Sequence, residues 1–246
     1  MAARVQLVVP CYNEAGRLKT DAFLEFVASR GDAALLFVDD GSTDATAGAL
    51  ADLAARAPEH IAVLALPRNA GKARAVQRGV LAAFERQPGY VGYWDADLST
   101  PLCAVADLVG VLDNNPRVDI VMGSRVRLLG RHIQRSPIRH YGGRVFATAA
   151  SLALKLPVYD TQCGAKLFRV NDRLRQTFAE PFRSKWLVDI EMLARYIAVT
   201  GSAGAEVGIY ELPLNEWTEV PGSKLRTASA LHALADLARI WRQTRR

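Results

Sequence analysis

The stretch Tyr90-Val91-Gly92-Tyr93-Trp94-Asp95-Ala96-Asp97 decides how this chain folds. Its first five residues predict a short buried strand, which ends in two carboxylates. Because side chains alternate along a strand, Asp95 and Asp97 would point the same way, and a turn beyond the strand end would also bring them together. Two such carboxylates suit a hard divalent cation, Mg²⁺ or Mn²⁺, that also binds phosphate oxygens. An isolated Asp-x-Asp is more often a pair of solvated loop acids, so the surrounding motifs decide whether this pair is interpreted as a metal site.

The first half of the chain alternates between strand-like and helix-like patterns. The predicted strands are Val5–Val9 (stopped by Pro10), Ala34–Val38, Ile61–Leu66, Tyr90–Trp94 and Ile120–Met122, and the predicted helices are Leu18–Ala28, a segment from an N-cap at Ser42–Asp44 to Arg56, Ala73–Arg86 and Cys103–Leu112. Repeated β-α units predict an α/β fold, with a mostly parallel sheet and helices on both faces. Ligands of such sheets bind beyond the carboxyl ends of the strands, where Asp39, Asp40, Asp95 and Asp97 all lie, so we expect one site.

The second half is less regular. It predicts a helix at Val145–Leu156, a turn and strand at Asp160–Phe168, a helix at Trp186–Val199, a strand at Ile209–Leu214 and a C-terminal helix at Leu225–Trp241. The segment Arg125–Arg144 holds six arginines, two histidines and no acid. Its glycines and proline predict that part of it is a mobile loop.

Composition restricts the class of protein. A net charge of +6 over 246 residues favours an anionic partner: a nucleotide, a phospholipid, a polyprenyl phosphate or a nucleic acid. The three cysteines lack C-x-x-C spacing, which indicates a reducing, cytoplasmic environment and no structural zinc. The sequence opens directly into a strand and has no run of 18 apolar residues, so neither a signal peptide nor a transmembrane helix is expected.

Two sets of motifs carry a resemblance to a known family. Val8–Glu14, Val38–Asp44, Arg68–Ala73 and Asp95–Asp97 resemble the family-2 inverting glycosyltransferases. Gly123–Arg125, Asp160–Phe168, Val188–Glu191 and Trp217–Lys224 look like the dolichyl-phosphate β-glucosyltransferase branch of that family. The resemblance covers about residues 4–226 and implies one GT-A domain over 1–246. Its parts would be a nucleotide-sugar half (1–124), an acceptor half (125–224) and a basic amphipathic C-terminal helix (225–246).

The resemblance also implies roles for single residues. The donor nucleotide would contact Pro10, Tyr12, Glu14, Asp39, Asp40, Lys72, Asp95 and Ala96. The metal ligands would be Asp95, Asp97 and Ser99, and the catalytic residues Asp160, Asp189 and Arg125. Tyr12 offers a stacking face to the base, although simple packing in the core is the alternative. Lys72 lies at a Gly-rich strand-helix junction suited to phosphate, although a solvated lysine is the alternative there. Many members carry Gly after the second aspartate of the metal motif, where this chain has Leu98.

The acceptor decides whether a general base is needed. A sugar hydroxyl must lose a proton as it attacks, whereas a phosphate monoester carries about 1.5 to 2 negative charges and is already a nucleophile. By the resemblance, Arg125, Arg135 and Arg139 would bind an acceptor phosphate; a solvated basic loop or an RNA-binding patch is the alternative. Asp160 would be a base or an orienting group. Asp189 and Glu191 lie two apart on a predicted helix and do not share a face, so we expect at most one, Asp189, at the site.

We therefore expect a metal-dependent inverting glycosyltransferase that moves glucose from UDP-glucose to a polyprenyl phosphate, with no nucleic-acid partner. The C-terminal helix places Leu231, Leu234, Ala238 and Trp241 on one face, which suits peripheral attachment at the cytosolic membrane face or docking on the protein's own core. Three alternatives stay open: a GDP-mannose-dependent mannosyltransferase, a soluble transferase with a non-lipid acceptor, and a non-catalytic nucleotide- or nucleic-acid-binding protein.

Overall fold

This computed structural model describes residues 3–184 and 187–220, and for residues 137–140 the backbone alone. The strands are β1 (Val5–Cys11), β2 (Ala33–Asp39), β3 (Ile61–Ala65), β4 (Tyr90–Trp94), β5 (Ile120–Ser124), β6 (His132–Gln134), β7 (Ala165–Arg169), β8 (Ile209–Pro213) and β9 (Glu216–Thr218). The helices are α1 (Thr20–Ser29), α2 (Thr46–Arg56), α3 (Lys72–Phe84), α4 (Ala104–Asn114), α5 (Pro137–Leu154), α6 (Asp172–Ala179) and α7 (Val188–Gly208).

Within the described residues, seven strands form one sheet in the order β3-β2-β1-β4-β7-β5-β8. Neighbouring strands pair in parallel except at β7, which is antiparallel to both β4 and β5. The short strands β6 and β9 form a separate parallel pair. The predicted mostly parallel α/β sheet is therefore confirmed, with one reversed strand that the sequence patterns did not reveal.

Two hydrophobic clusters cover the two faces of the sheet. Along β1, Leu7 and Val9 point into the cluster that includes α1, α2 and α4, whereas Val8 points into the cluster that includes α3, α5, α6 and α7. Gly79 lets α3 approach closely, because a Cβ there would lie 2.3 Å from Cγ1 of Val8. Helices on both faces are thus confirmed.

Some predicted boundaries were wrong. Strand β1 continues through Pro10 to Cys11, because its pairing with β4 ends at Val8 and Pro10 needs no N–H on that side. Helix α5 begins at Pro137 rather than Val145, since proline fits the first turn, where its missing N–H has no partner to lose. Helix α2 begins at Thr46, whose N–H donates to Oδ1 of Asp44.

The sequence patterns missed some elements, and one predicted element lies outside the described residues. Helix α6 and the pair β6–β9 were not predicted, and β6 and the start of α5 occupy much of the segment that we expected to be loop. The predicted C-terminal helix at 225–241 lies outside the described residues. Among residues 3–184 and 187–220, none of the helices has the length and hydropathy that crossing a bilayer would need.

Candidate active site

The loops that follow β1 and β2 are hydrogen-bonded to each other at the carboxyl edge of the sheet. The N–H of Asn13 donates to Oγ of Ser42 at 3.0 Å, and the N–H of Thr43 donates back to Oδ1 of Asn13 at 2.8 Å. The N–H of Glu14 donates to Oγ1 of Thr46 at 2.8 Å. Asn13 has a φ of 51°, a left-handed value that asparagine tolerates better than most residues. Glu14 was predicted to contact the donor and Ser42 and Thr43 to belong to an N-cap, whereas sequence reasoning gave Asn13 no role.

Asp39 and Asp40 are buried and shape the same edge. Oδ1 of Asp39 accepts the N–H of Ser42 at 3.0 Å. The carboxylate of Asp40 accepts the N–H groups of Ala70 and Gly71 at 2.8 and 2.9 Å, so it holds the loop that leads into α3. Burial raises the pKa of Asp40, and these two N–H groups offset part of that rise. Both acids therefore have internal partners, and their contact with a nucleotide stays a prediction.

Glu14 pairs with an arginine that the sequence analysis missed. Pro10 and Tyr12 are half-buried beside the buried Glu14, whose Oε1 accepts Nη2 of Arg17 at 2.7 Å. This hydrogen bond raises the pKa of Arg17. Nη1 of Arg17 lies 4.0 Å from Oδ2 of Asp97, and this buried nitrogen has no hydrogen-bond partner in the structure. The i,i+3 spacing to Glu14 was the available sequence signal.

The Asp-Ala-Asp turn follows β4 directly. Nζ of Lys72, at the start of α3, lies 2.6 Å from Oδ1 of Asp95. Burial lowers the pKa of Lys72, but the charge of Asp95 outweighs it, so the pKa lies above its ordinary value. Oδ1 of Asp97 accepts the N–H of Ser99 at 3.0 Å. Leu98 between them has a φ of 52°, which is the left-handed region that glycine adopts without strain.

The turn fits a hard divalent metal. The side chains of Asp95 and Asp97 are 35% and 18% exposed, so each carboxylate is reachable, and both belong to one turn with Ser99. The donors there are oxygens alone, the ligand type that Mg²⁺ and Mn²⁺ prefer. No group of three or more His, Cys, Asp or Glu side chains suited to a metal occurs in the described part of the chain. One or two carboxylates plus substrate phosphates are a common Mg²⁺ set. Ala96 is buried between the two acids.

A second charged centre lies where β5 ends. Nε and Nη2 of Arg125 donate to the carboxylate of Asp160 at 2.6 and 2.7 Å, and its backbone N–H donates at 3.0 Å. Burial raises the pKa of Asp160, but Arg125 outweighs it and brings the pKa to about 2. The guanidinium of Arg125 lies 5.3 Å from the ring centroid of Trp217. Glu211 of β8 accepts the N–H groups of Tyr159 and Asp160, both at 2.7 Å, so the pair is held from two sides.

The turn at residues 160–164 joins the two centres. A Cβ on Gly164 would lie 1.9 Å from Oδ2 of Asp95, so the acid packs directly against this turn. Nζ of the fully buried Lys166 donates to the C=O groups of Thr161 and Cys163 at 3.0 and 2.6 Å. The same turn therefore carries Asp160 at one end and contacts Asp95 at the other.

Asp189 lies beneath the turn rather than in the open site. It is 3% exposed, and its Oδ1 accepts Nζ of Lys166 at 2.5 Å and the hydroxyl of Tyr93. Glu191, two residues on, accepts the N–H groups of Arg183 and Ser184 instead. The two acids do face different partners, as their spacing predicted.

The remaining predicted arginines lie on or near α5. A Cβ on Gly143 would be 2.4 Å from Nη2 of Arg135, so that guanidinium packs on the helix. Arg139 belongs to the helix by its backbone. Arg144, which sequence reasoning did not single out, donates to the C=O of Tyr159 at 3.2 Å and stacks 3.5 Å from that ring centroid. It supports the residue that precedes Asp160.

This sheet order, with an Asp-Ala-Asp turn at the carboxyl edge and a second charged centre across one reversed strand, defines a GT-A glycosyltransferase. The chain belongs to glycosyl transferase family 2, whose family model matches residues 6–174. It is an enzyme of the glycosyltransferase class.

Several relatives match over most of the chain. A dolichyl-phosphate beta-glucosyltransferase of Trichomonas vaginalis is 32% identical over 95% of this chain and 69% of the relative. Another of that name from Dictyostelium discoideum is 32% identical over 96% and 73%. The mouse protein of that name is 33% identical over 90% and 69%.

Among solved structures, glucosyl-3-phosphoglycerate synthase from Mycobacterium tuberculosis is similar. Its complex with phosphoglyceric acid has a TM-score of 0.69 at 18% identity, over 98% of this chain and 80% of that one. Its complex with Mn²⁺ and UDP-glucose has a TM-score of 0.67 at 20% identity, over 95% and 76%. At these identities the likeness establishes the fold.

Proposed function

We propose that this chain transfers glucose from UDP-glucose to a polyprenyl phosphate, with inversion at the anomeric carbon and with Mg²⁺ or Mn²⁺ at Asp95 and Asp97. The observation that carries the proposal is the joining of two charged centres by one turn: Lys72 with Asp95, and Arg125 with Asp160. The names of the relatives, which combine dolichyl phosphate with β-glucosyl transfer, support the lipid phosphate and the sugar.

On the donor side, the metal would neutralise charge on the diphosphate leaving group as a Lewis acid. Asp95 and Asp97 would hold it, with Ser99 as a further oxygen. Lys72 would move from Asp95 to the diphosphate, since an ammonium at the start of a helix favours phosphate. Pro10, Tyr12, Glu14, Asp39 and Asp40 would enclose the base and ribose.

On the acceptor side, the phosphate would attack without losing a proton. Its oxygen forms a bond to the anomeric carbon as the bond to the diphosphate breaks, and UDP leaves with the electron pair. Arg125 would position this phosphate, with Arg135 and Arg139 as further cations. Because its pKa is about 2, Asp160 is a weak base at neutral pH, and we assign it the task of orienting Arg125. Asp189 would act likewise, by holding Lys166 and the turn.

The test is release of nucleoside diphosphate from a panel of nucleotide sugars. UDP-glucose and GDP-mannose are each offered with polyprenyl phosphate, polyprenol, a soluble phosphate monoester or no acceptor, in Mn²⁺ and in chelator. We expect release from UDP-glucose with polyprenyl phosphate in Mn²⁺. Faster release from GDP-mannose would make the enzyme a mannosyltransferase, and equal rates with the soluble monoester would remove the lipid from the proposal.

A further inference from the structure

Helix α5 exposes an apolar face where a surface helix is ordinarily polar. Tyr141, Val145 and Leu152 are 71%, 73% and 73% exposed. Together with the exposed Thr148 they follow the i, i+4, i+7, i+11 spacing that places them along one side of a helix. The opposite side of α5 is buried through Ala147, Ala150, Ala153 and Leu154. Single exposed apolar residues are common, but a contiguous row marks an interaction surface.

Two polar groups of this part of α5 already have hydrogen-bond partners. The hydroxyl of the exposed Thr148 donates to the C=O of Arg144 at 2.9 Å. The C=O of Ser151 accepts both the N–H of the C-cap residue Lys155 and the N–H of Leu156. Transfer of these two groups into an apolar medium would therefore leave neither without a hydrogen-bond partner.

Exposed apolar and cationic groups continue beyond the helix. Leu128 and Leu129 are 48% and 104% exposed, and the exposed Arg127 precedes them. Nη2 of Arg127 donates to the C=O of Arg135 at 3.2 Å, and the guanidinium of Arg135 packs on Gly143 of α5. The loop and the helix are thus linked by contacts, and the exposed Arg127 and the half-buried Arg135 border the apolar side chains, while Glu219 accepts the N–H of Ser136 just before the helix.

We propose that this surface, made of Tyr141, Val145, Thr148 and Leu152 of α5 with Leu128 and Leu129, contacts an anionic phospholipid bilayer. Charge complementarity selects this partner, because apolar groups bordered by arginines bind where acyl chains meet negatively charged headgroups. The choice of a bilayer over a second copy of the chain also rests on the proposed lipid acceptor. Arg144 ties α5 to Tyr159, next to the Asp160–Arg125 pair, so contact by α5 would bring the acceptor-binding arginine near the headgroups.

The test is sedimentation with vesicles of phosphatidylcholine alone or with a third of phosphatidylglycerol, which needs no activity. We expect binding to the anionic vesicles that falls at least tenfold in the double variant Val145→Glu/Leu152→Glu and weakens in high salt. Val207→Glu is the matched control, because Val207 is 48% exposed but lies on α7, and it should bind as the unaltered chain does. Leu128→Ser/Leu129→Ser should weaken binding severalfold.

Three results would overturn the proposal. One is equal vesicle binding by the double variant and Val207→Glu. Another is a dimer in lipid-free sedimentation velocity that Val145→Glu/Leu152→Glu dissociates, since the partner would then be a second copy. The third is a loss of thermal stability in the double variant alone with vesicle binding kept, which would mean that the protein itself covers the face.

A short, water-soluble prenyl phosphate distinguishes this proposal from the proposed function. The double variant should still glucosylate it, and failure of every acceptor with the unaltered chain would count against the function instead.

Discussion

Nζ of Lys72 lies 2.6 Å from Oδ1 of Asp95, so one of the two proposed metal ligands is already paired with a cation at the start of a neighbouring helix. On the proposed function, a metal at Asp95 would displace this ammonium, and a diphosphate would offer it a new partner. The pair would then couple the binding of metal to the binding of nucleotide.

Lys72→Met should separate these two events. Without the competing ammonium, Mn²⁺ alone should bind severalfold more tightly, whereas UDP in the presence of Mn²⁺ should bind roughly tenfold more weakly for want of one charge-assisted contact. Isothermal titration of Mn²⁺ and then of UDP measures both. Unchanged UDP affinity would make Lys72 a purely structural partner of Asp95.

Asp97→Asn should reduce transfer by roughly a hundredfold or more, because one charged metal ligand is lost while the turn can keep its hydrogen bond to Ser99. Circular dichroism should be unchanged. Asp52→Asn is the control, since Asp52 is exposed on α2 and is none of the predicted site residues. Full turnover of the unaltered chain in excess chelator would contradict a role for metal.

Gly164→Ala should weaken Mn²⁺–UDP binding roughly tenfold or more, because the new methyl group would lie 1.9 Å from Oδ2 of Asp95 and the carboxylate must move. The control is Gly110→Ala in α4, where nothing lies within 4 Å of the added carbon. That change should raise the free energy of unfolding by about 0.5–1 kcal/mol. Normal Mn²⁺ affinity in Gly164→Ala would show that the turn does not position Asp95.

The pH dependence of stability should report the Arg125–Asp160 pair. The pKa of Asp160 falls from 3.8 to about 2 on folding, so its ionised form stabilises the fold above its ordinary pKa and loses that effect as the pH falls toward 2. Denaturant unfolding should show a gap of about 3 kcal/mol or more between the unaltered chain and Asp160→Asn at neutral pH. About 2 kcal/mol of that gap should vanish between roughly pH 4 and 2. A limb near pH 6 in the rate profile that Asp160→Asn removes would instead make Asp160 a base.

Lys166→Met should lower the free energy of unfolding by about 3–5 kcal/mol, because it leaves Asp189 buried without its cation. Lys19→Met, at an exposed lysine before α1, should change it by no more than about 0.5 kcal/mol.

Asp189→Asn tests the same unit more gently, since an amide still accepts from Tyr93 and Lys166. It should lower turnover while UDP affinity stays unchanged, and a loss confined to UDP affinity would move Asp189 to the donor side.

The sequence was informative where local patterns carry the structure. The alternation of buried strands with helices predicted the sheet, and Asp95 and Asp97 could be placed at a strand end because the apolar run stops there. Pro10 was misjudged because whether a strand tolerates proline depends on which neighbour it pairs with, and that is a property of the assembled sheet. The direction of β7 was hidden for the same reason.

Some residues of the site could be predicted from the sequence and their partners could not, and the reason is physical. Acids at strand ends are visible locally, but what each acid binds depends on residues far along the chain: Asp160 meets an arginine 35 positions away, and Asp189 a lysine 23 away. The lowered pKa of Asp160 follows from that distant partner. The apolar face of α5 could not be predicted from the sequence, because recognising it requires knowing where the helix begins and that its other side is buried.

The reversed direction of β7 places the turn at residues 160–164 at the same edge of the sheet as the Asp-Ala-Asp turn. Strand β7 is antiparallel to β4 and β5. It therefore begins at the edge of the sheet where those two strands end, and Ala165 at its start pairs with Trp94 at the end of β4. A parallel strand would have its entering residues at the opposite edge. The distance between the Asp95 turn and the Arg125–Asp160 pair, and on the proposed function between the donor sugar and the acceptor phosphate, is therefore set by the few residues of the turn at 160–164. Insertion or deletion there offers a way to accommodate acceptors of different bulk while both flanking strands stay as they are.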